Sequence, residues 1–410
     1  MKIEVVAIGN EVLAGLAVNT NAAFISKELS QAGMRPTKHL TLPDDRETLL
    51  QELGNSLKQN DVVITTGGLG PTCDDITRAI AAELFHSDFR LDENIAKELS
   101  RRYGTKAAVT DQATVPTKAK VIENHIGSAP ALILEEGPSC LILLPGVPSE
   151  MQDLFMRGVL PFLKNRFKDS VKRFSKRLHL VVMPDSAISE ALVDPILRQI
   201  QKMTPHLEIG IYPSPGILMV QFTSDKQDDP DVDAAIKELS KHFSRHVLDI
   251  PSGKIEELLQ QRFLSSKWTL SIAESCTGGR LAARLTALPG SSGYFLGSIV
   301  AYSNESKTKF LEVPPDTIQD HGAVSSETVS AMMKGILNST KSDFSIAVTG
   351  IAGPGGGTEN KPVGLIWAAI GHRDHSPYIF SFRAPGHRNT IMEFTVNVLL
   401  AQLLKYADRL

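Results

Sequence analysis

The chain has 410 residues, 42% of them hydrophobic and 22% charged, with 43 Lys plus Arg against 46 Asp plus Glu and a formal net charge of −3. At roughly 150 residues per domain this length predicts two to three domains, and the apolar content excludes a long disordered protein. The balanced charge argues against a protein that coats nucleic acid, and no apolar run approaches the ~20 residues that span a bilayer.

Met1-Lys2 runs directly into IEVVAI (Ile3 to Ile8), which is too charged at its start for a signal peptide and reads as a first strand. Residues 20 to 32 predict a helix with Phe24, Ile25 and Leu29 on one side and Gly33 as its stop. Residues 46 to 59 place Leu49, Leu50, Leu53 and Leu57 at helical spacing, and Asp61 to Thr66 reads as a buried strand. A helix bearing Ile76, Ile80 and Leu84 follows, and Leu141 to Leu144 is another strand. This alternation predicts a mostly parallel sheet covered by helices.

Residues 157 to 177 carry Arg157, Lys164, Arg166, Lys168, Lys172, Arg173, Lys176 and Arg177 with only Asp169 opposing. They read as a solvated helix end and linker, since no aromatics are spaced for a nucleic-acid platform. A small α/β unit follows: strand Leu178 to Val182, helix 187 to 202, strand Ile217 to Phe222 and helix 231 to 244, with a polar loop at Ser224 to Asp233. From about 252 the rhythm restarts. A helix at 256 to 265 leads to strand Thr269 to Ala273, helix Gly278 to Leu288 and strand Ser298 to Tyr302. Helix 326 to 338, strands Phe344 to Thr349, Val363 to Ile370 and Tyr378 to Phe382, and helix 388 to 406 complete the chain. The three cysteines, Cys73, Cys140 and Cys276, are far apart and odd in number, which fits a reducing cytoplasm.

Three loops follow three strands of the first region: Gly9-Asn10-Glu11, Thr66 to Thr77 and Pro145 to Met151. In a parallel sheet such loops converge on one crevice. The glycines of TTGGLGPTCDDIT let backbone N–H groups approach an anion closely. Asp74 and Asp75 either hold a divalent cation or cap the helix that comes next; Glu11 is a ligand or a surface carboxylate.

These stretches, GNEVLAG with NTN (Gly9–Gly15, Asn19–Asn21), TTGGLGPTCDDIT (Thr65–Thr77) and PGVPSEM (Pro145–Met151), resemble the N-terminal domain of the CinA family, which is similar to molybdopterin-binding domains. The resemblance implies a metal-dependent ADP-ribose pyrophosphatase. It assigns substrate binding to Asn19, Asn21, Thr66, Gly67, Gly68, Gly70, Pro71, Thr72, Pro145 and Gly146, and a divalent metal or base role to Glu11, Asp74 and Asp75. Two positions depart from the family pattern: Asp111 precedes Gln112-Ala113 in place of an arginine, and Ala131 follows Ala129-Pro130 in place of a glycine. A domain that binds a nucleotide or pterin without turning it over is the alternative.

In the last region AESCTGG (Ala273–Gly279) lies between a strand and a helix. Ser275 is there a nucleophile beside backbone donors, or Ser275 or Thr277 caps the helix. Cys276 is a thiol nucleophile or a buried structural cysteine. No His–Asp pairing completes a triad, His321 and His387 included. A lysine serves as base if its pKa is lowered; Lys307 and its neighbour Lys309 are the candidates, each otherwise an exposed turn lysine. Thr349 to Gly357 forms a loop suited to a phosphate or ribose, and Arg388 is a bidentate phosphate partner or a surface arginine.

ESCTGG, VAYSNESK (Val300–Lys307), HGAVS (His321–Ser325) and TGIAGPGGG with KPVG (Lys361–Gly364) resemble the CinA C-terminal domain, which is similar to nicotinamide-mononucleotide deamidases. The resemblance implies Ser275 as nucleophile and Lys307 as general base, with Cys276, Thr277, Gly278, Gly279, Tyr302, Asn304, Thr349, Gly350 and Arg388 around the substrate.

The expectation is a bifunctional α/β enzyme of pyridine-nucleotide salvage. It comprises an N-terminal molybdopterin-binding-like (MoaB/MogA-like) three-layer α/β/α domain over 1–168, a small α/β connector over 169–250 and a CinA-type α/β/α domain over 251–410. A divalent metal is expected in the first domain and no cofactor in the deamidase. The expected partners are nicotinamide mononucleotide and ADP-ribose, with no direct nucleic acid and no membrane; the family implies a homodimer. A competence-associated interaction factor is a further alternative.

Overall fold

A computed structural model describes residues 1–104, 107–168 and 173–410, with backbone alone for 107 and 108. It divides into two compact units: Met1–Phe174 with Asp225–Gln227, and Ser175–Ser224 with Asp228–Leu410.

In the first unit β1 (Ile3–Ile8), β2 (Lys38–Leu42), β3 (Val62–Thr66), β4 (Phe89–Leu91), β5 (Thr114–Pro116), β6 (Lys120–Ile122), β7 (Ala131–Glu136) and β8 (Ser139–Leu144) follow in chain order. Six of them form one sheet in the order β2-β1-β3-β8-β7-β6, while β4 and β5 pair separately. β1, β2, β3 and β8 run parallel, with Val5 beside Ile64 and Ile64 beside Ile142; β6 and β7 are antiparallel. The central strands are apolar on both faces because both are covered. Val6, Ile8, Val63, Leu141 and Leu143 pack with Leu49, Leu53 and Ile80 of helices Arg46–Gln59 and Thr77–Leu84. Ile3, Val5, Ile64 and Ile142 pack with Ile25 and Leu29 of helix Thr20–Gln31 and with Leu154 and Leu163 after β8. The result is the expected α/β/α sandwich. Helix Thr20–Gln31 starts at Asn19, whose side chain accepts from the Ala22 amide at 3.0 Å, so its first turn is capped locally.

The expected boundary at 168–169 abuts residues outside the described set, and Asp169 and Lys172 lie outside it. The basic residues that are described sit largely in local pairs: Arg157 with Asp153 at 3.1 Å, Arg166 with Glu135, and Lys176 with Asp233 at 2.7 Å.

The second unit holds β9 (Phe174–Val181), β10 (Glu208–Ser214), β11 (Ile217–Ser224) and β12 (Val247–Leu248) in the sheet order β10-β11-β9-β12. Leu180, Val220, Phe222, Leu197 and Leu239 form its core with helices Glu190–Met203 and Pro230–His242. That second helix begins inside the stretch expected to be loop. Val181, Met183, Leu248 and Ile250 belong to the C-terminal core instead, so this connector sheet shares a compact unit with the C-terminal domain.

β13 (Leu270–Glu274), β14 (Phe295–Val300), β15 (Phe344–Gly350), β16 (Leu365–His372) and β17 (His375–Arg383) form a five-stranded sheet in the order β14-β13-β15-β16-β17. β13, β14 and β15 are parallel, and β16 and β17 antiparallel. Helix Arg388–Ala407 and helix Ile255–Ser266 cover one face. Helix Ser326–Thr340 covers the other through Val329, Met332, Met333 and Ile336. Helix Asn304–Leu311 stands where a turn is expected after β14, and helix Pro315–His321 follows it. No described helix is long and apolar enough to cross a membrane.

Candidate functional site

The carboxyl ends of β13, β14 and β15 gather the C-terminal candidates in one place. β13 ends at Glu274, and the chain turns through Ser275 to Gly279, with Gly278 and Gly279 at φ +61 and +92. Such left-handed backbone is cheap only for glycine. Ser275 stays attached to the sheet, its amide donating to the Val348 carbonyl at 3.0 Å.

The helix Arg280–Thr286 is capped by neither Ser275 nor Thr277. Glu274, fully buried, supplies the acceptors: its carboxylate receives the amides of Gly279 (3.0 Å), Leu281 (3.1 Å) and Ala282 (2.9 Å) and the Thr277 hydroxyl (2.7 Å). The otherwise orphaned first-turn N–H groups are thereby paired, and the negative charge lies at the positive end of the helix. This corrects the capping alternative for Ser275 and Thr277, and it leaves the Ser275 hydroxyl without a capping task.

Lys307 lies in helix Asn304–Leu311, started by Ser303, whose hydroxyl accepts from the Ser306 amide at 3.1 Å. Lys307 is therefore not a turn residue. Its side chain is 2% exposed, and its Nζ reaches Ser275 Oγ at 3.1 Å, the Ala301 carbonyl at 3.1 Å and the Tyr302 carbonyl at 3.2 Å. Burial penalises the ammonium and pushes its pKa below the ordinary lysine value. Ser275 is itself 7% exposed. Lys309, the competitor, is exposed and lies over the Phe310 ring. The buried Cys276 thiol is pushed up to about 12 by desolvation, so it stays protonated and packs as a small apolar group.

The remaining candidates fall into two groups. Tyr302 and Asn304 are exposed. Arg388 reaches the Tyr302 hydroxyl at 2.9 Å and the Gly353 carbonyl at 2.8 Å, tying the glycine loop to the β14 end. Thr349, by contrast, is buried with its hydroxyl donating to the Ala323 carbonyl at 2.7 Å; it holds the HGAVS loop. Lys361 clasps the same loop from the other side through the carbonyls of His321 and Val324, each at 2.8 Å. Gly350 ends β15, where a Cβ would meet Leu365 O at 2.7 Å and Cys276 Sγ at 3.2 Å. Glu274 and Lys361 were assigned no role from sequence. The signal for Glu274 was present: a lone charged residue closing a buried apolar strand.

In the first unit the three loops also approach one another. The Gly67 amide donates to the Leu144 carbonyl at 3.0 Å, and the Asn21 side chain donates to the Gly146 carbonyl at 2.8 Å. Gly67 has φ +108, and a Cβ there would lie 2.1 Å from the Ile8 carbonyl oxygen, so β1 and β3 require glycine at this crossing. Thr66 and Pro145 are buried; Gly70, Pro71, Thr72 and Gly146 line the more open side, and Gly68 packs against Thr77. The acidic candidates have local partners. Asp75 accepts from the Thr72 amide at 3.0 Å and from the Thr72 hydroxyl, closing the loop on itself. Asp74 is held below the usual carboxylate range by Thr72, and Glu11 lies against Gly9. Among the described residues, only His206, Asp229 and Asp231 bring three metal-type ligand atoms within 4.8 Å of one another. Glu11, Asp74 and Asp75 are not such a set of three; one or two of them with phosphate oxygens of a ligand would be the donors to a divalent ion there.

Both halves of the chain have known relatives. Residues 252–407 match the CinA C-terminal domain, and residues 4–165 match the family described as "Probable molybdopterin binding domain". The chain is 35% identical over 419 residues to the "Putative competence-damage inducible protein" of Caldicellulosiruptor bescii, covering 99% of this chain and 100% of that protein. It is 38% identical over 422 residues to the CinA-like protein of Endomicrobium trichonymphae, covering 98% of this chain and 97% of that protein. A solved structure of CinA from Thermoplasma acidophilum, of unknown function, is 35% identical and covers 39% of this chain and 96% of that one at a TM-score of 0.37. The chain belongs to the CinA family. It joins a molybdopterin-binding-like N-terminal domain to a CinA C-terminal domain.

Proposed function

We propose that the C-terminal domain is an amidohydrolase that converts nicotinamide mononucleotide to nicotinate mononucleotide and ammonia. The observation that carries this reading is the Ser275–Lys307 pair. A neutral Lys307 donates its two N–H bonds to the Ala301 and Tyr302 carbonyls, and its lone pair then faces the Ser275 hydroxyl. Lys307 takes that proton as Ser275 Oγ bonds to the carboxamide carbon. The ammonium then gives its proton to the departing nitrogen, which leaves as ammonia. Water, deprotonated by the same lysine, attacks the acyl-enzyme ester, and the lysine gives that proton to Ser275 Oγ as the ester C–O bond breaks and the carboxylate is freed.

Gly278 and Gly279 already donate to Ser275 O and Glu274, so the amides of Cys276 and Thr277 are the proposed oxyanion donors. The choice of substrate rests on the resemblance of the four loops to nicotinamide-mononucleotide deamidases. Ammonia release from this substrate by the full chain tests it; no release with native protein overturns it.

For the N-terminal domain the reading that fits best is a binding site for a nucleotide-like diphosphate on the Thr66–Thr72 and Pro145–Gly146 loops. The engagement of Asp75 by the Thr72 amide and hydroxyl favours this over metal-dependent ADP-ribose hydrolysis. Loss of ADP-ribose that requires a divalent metal and disappears in Asp75→Ala would restore the hydrolase reading.

A further inference from the structure

Hydrogen bonds of the C-terminal domain close a circuit that starts and ends at the Ser275–Lys307 pair. The Ser275 amide donates to the Val348 carbonyl at 3.0 Å, and the next residue, Thr349, donates through its hydroxyl to the Ala323 carbonyl at 2.7 Å. The 321–325 loop is joined in turn to Lys361, which lies on the glycine-rich segment between β15 and β16. That segment accepts from Arg388 at the Gly353 carbonyl, and Arg388 donates to the Tyr302 hydroxyl. The Tyr302 carbonyl accepts from Lys307.

The 321–325 loop joins helices Pro315–His321 and Ser326–Thr340 and belongs to no sheet. Its path is set by side chains that donate to four consecutive carbonyls. Lys361 Nζ takes those of His321 and Val324, each at 2.8 Å, and Thr349 takes that of Ala323. Ser325 and Thr328, at the start of the second helix, take that of Gly322 at 3.0 and 2.7 Å. Gly322 has φ +80, and a Cβ there would lie 3.0 Å from Lys361 Nζ, so the ammonium reaches both its carbonyls past a residue with no side chain. Lys361 is half-buried and fixed in a turn: its amide donates to Thr358 Oγ1 at 3.1 Å, and its carbonyl accepts from the Thr358 amide at 2.9 Å.

The reacting pair is held without this link, Ser275 by Val348 and Lys307 by the carbonyls of Ala301 and Tyr302. What Lys361 adds is a fixed spacing between two loops beside that pair. Loops already held in one arrangement spare an arriving ligand the free energy of ordering them. The two bonds of Lys361 are charge-assisted, and both are lost together when the ammonium is removed. We propose that Lys361 is a positioning residue for substrate binding: it preorders the 321–325 loop against the glycine-rich segment and so acts on KM rather than on the chemical step. This role rests on the deamidase reading of the Ser275–Lys307 pair.

The test is steady-state ammonia release from nicotinamide mononucleotide by the full chain, paired with hydrogen–deuterium exchange of the same proteins without substrate. Lys361→Met should raise KM about tenfold and keep kcat within about threefold, the pattern of lost binding with the chemistry intact. Lys361→Arg, which keeps the charge and has donors for both carbonyls, should stay within about threefold of the native KM. Lys361→Gln should fall between the two. In Lys361→Met the amides of residues 322–325 should exchange about tenfold faster, while those of β13 keep the native rate. A native KM in Lys361→Met, a loss confined to kcat, equal KM in the Met and Arg variants, or unchanged exchange at 322–325 overturns the proposal. Absence of release by the native protein overturns the deamidase reading and, with it, this role for Lys361.

Discussion

Lys307 Nζ and Ser275 Oγ stand 3.1 Å apart although 32 positions separate them in the chain. The lysine is held from its other side by two backbone carbonyls, so its approach to the serine is fixed by β14 and by the helix after it. Ser275→Ala and Lys307→Met are each expected to lower ammonia release from nicotinamide mononucleotide by about 10³-fold or more. Ser275→Ala should melt within a degree or two of the native protein. A Ser275→Ala protein with native turnover would remove the serine from the chemistry.

The pH dependence stems from the burial of Lys307. Its folded pKa lies below its unfolded value. Between those two values the unfolded chain binds more protons, so this residue makes folding stability rise with pH across that window. The neutral amine that acts as base is gained in the same direction. The deamidation rate should therefore rise as pH climbs through the folded pKa and level off above it, while Lys307→Met should flatten the rise in urea midpoint between the folded and unfolded values. A rate that falls with pH through the folded pKa would contradict a neutral-lysine base.

Glu274 is expected to matter through position. Glu274→Ala leaves three backbone amides and one hydroxyl of the Ser275–Ala282 segment without their acceptor, at a cost of about 3 kcal/mol in urea unfolding. Glu274→Gln keeps one accepting oxygen and should recover part of the stability. The KM should move less than kcat, because the turn presents the nucleophile. Equal loss in Ala and Gln variants would point to the charge alone.

Thiol chemistry separates the cysteines. Cys73 is exposed, whereas burial pushes both Cys140 and Cys276 up to about 12. Iodoacetamide at neutral pH should label Cys73 first, with ammonia release retained at single labelling by mass spectrometry. Loss of release in step with Cys276 labelling would assign that thiol a chemical role.

In the N-terminal domain Gly67→Ala should be severe. Its Cβ would lie 2.1 Å from Ile8 O at φ +108, for which at least about 3 kcal/mol is expected. Asp75→Ala removes only the acceptor of a local turn and should cost about 1 kcal/mol. Thermal melts of the two variants read this ordering directly.

Much of the architecture was legible because the central strands are short apolar runs ending in glycine-rich turns: Val62–Thr66 and Phe344–Gly350 lie within a residue of their expected ends. Seven strands were not legible: β2, β4, β5, β6 and β7 of the first unit and β10 and β12 of the second, and the last two show the physical reasons. Glu208–Ser214 is a half-exposed edge strand containing Gly210 and Pro213, so its alternation is weak. Val247–Leu248 has only two residues. Helix Asn304–Leu311 was missed because one of its two buried positions is Lys307, paired with Leu311 four residues on. The apolar stripe that marks a helix is interrupted there by the residue that faces Ser275.

The sequence by itself determined which loops leave the strand ends, and which residue types they carry. These are properties of neighbouring residues, set by strand burial and by the backbone freedom of glycine. Tertiary packing decided the rest. It buried Lys307 and left Lys309 in solvent, gave the capping of Arg280–Thr286 to Glu274, and turned Thr349 and Lys361 toward a loop. It also gave Asp75 to the Thr72 amide and hydroxyl. Each of these outcomes is a distance between side chains remote in sequence or on different faces of one element, and such distances exist only once helices have packed on the sheet.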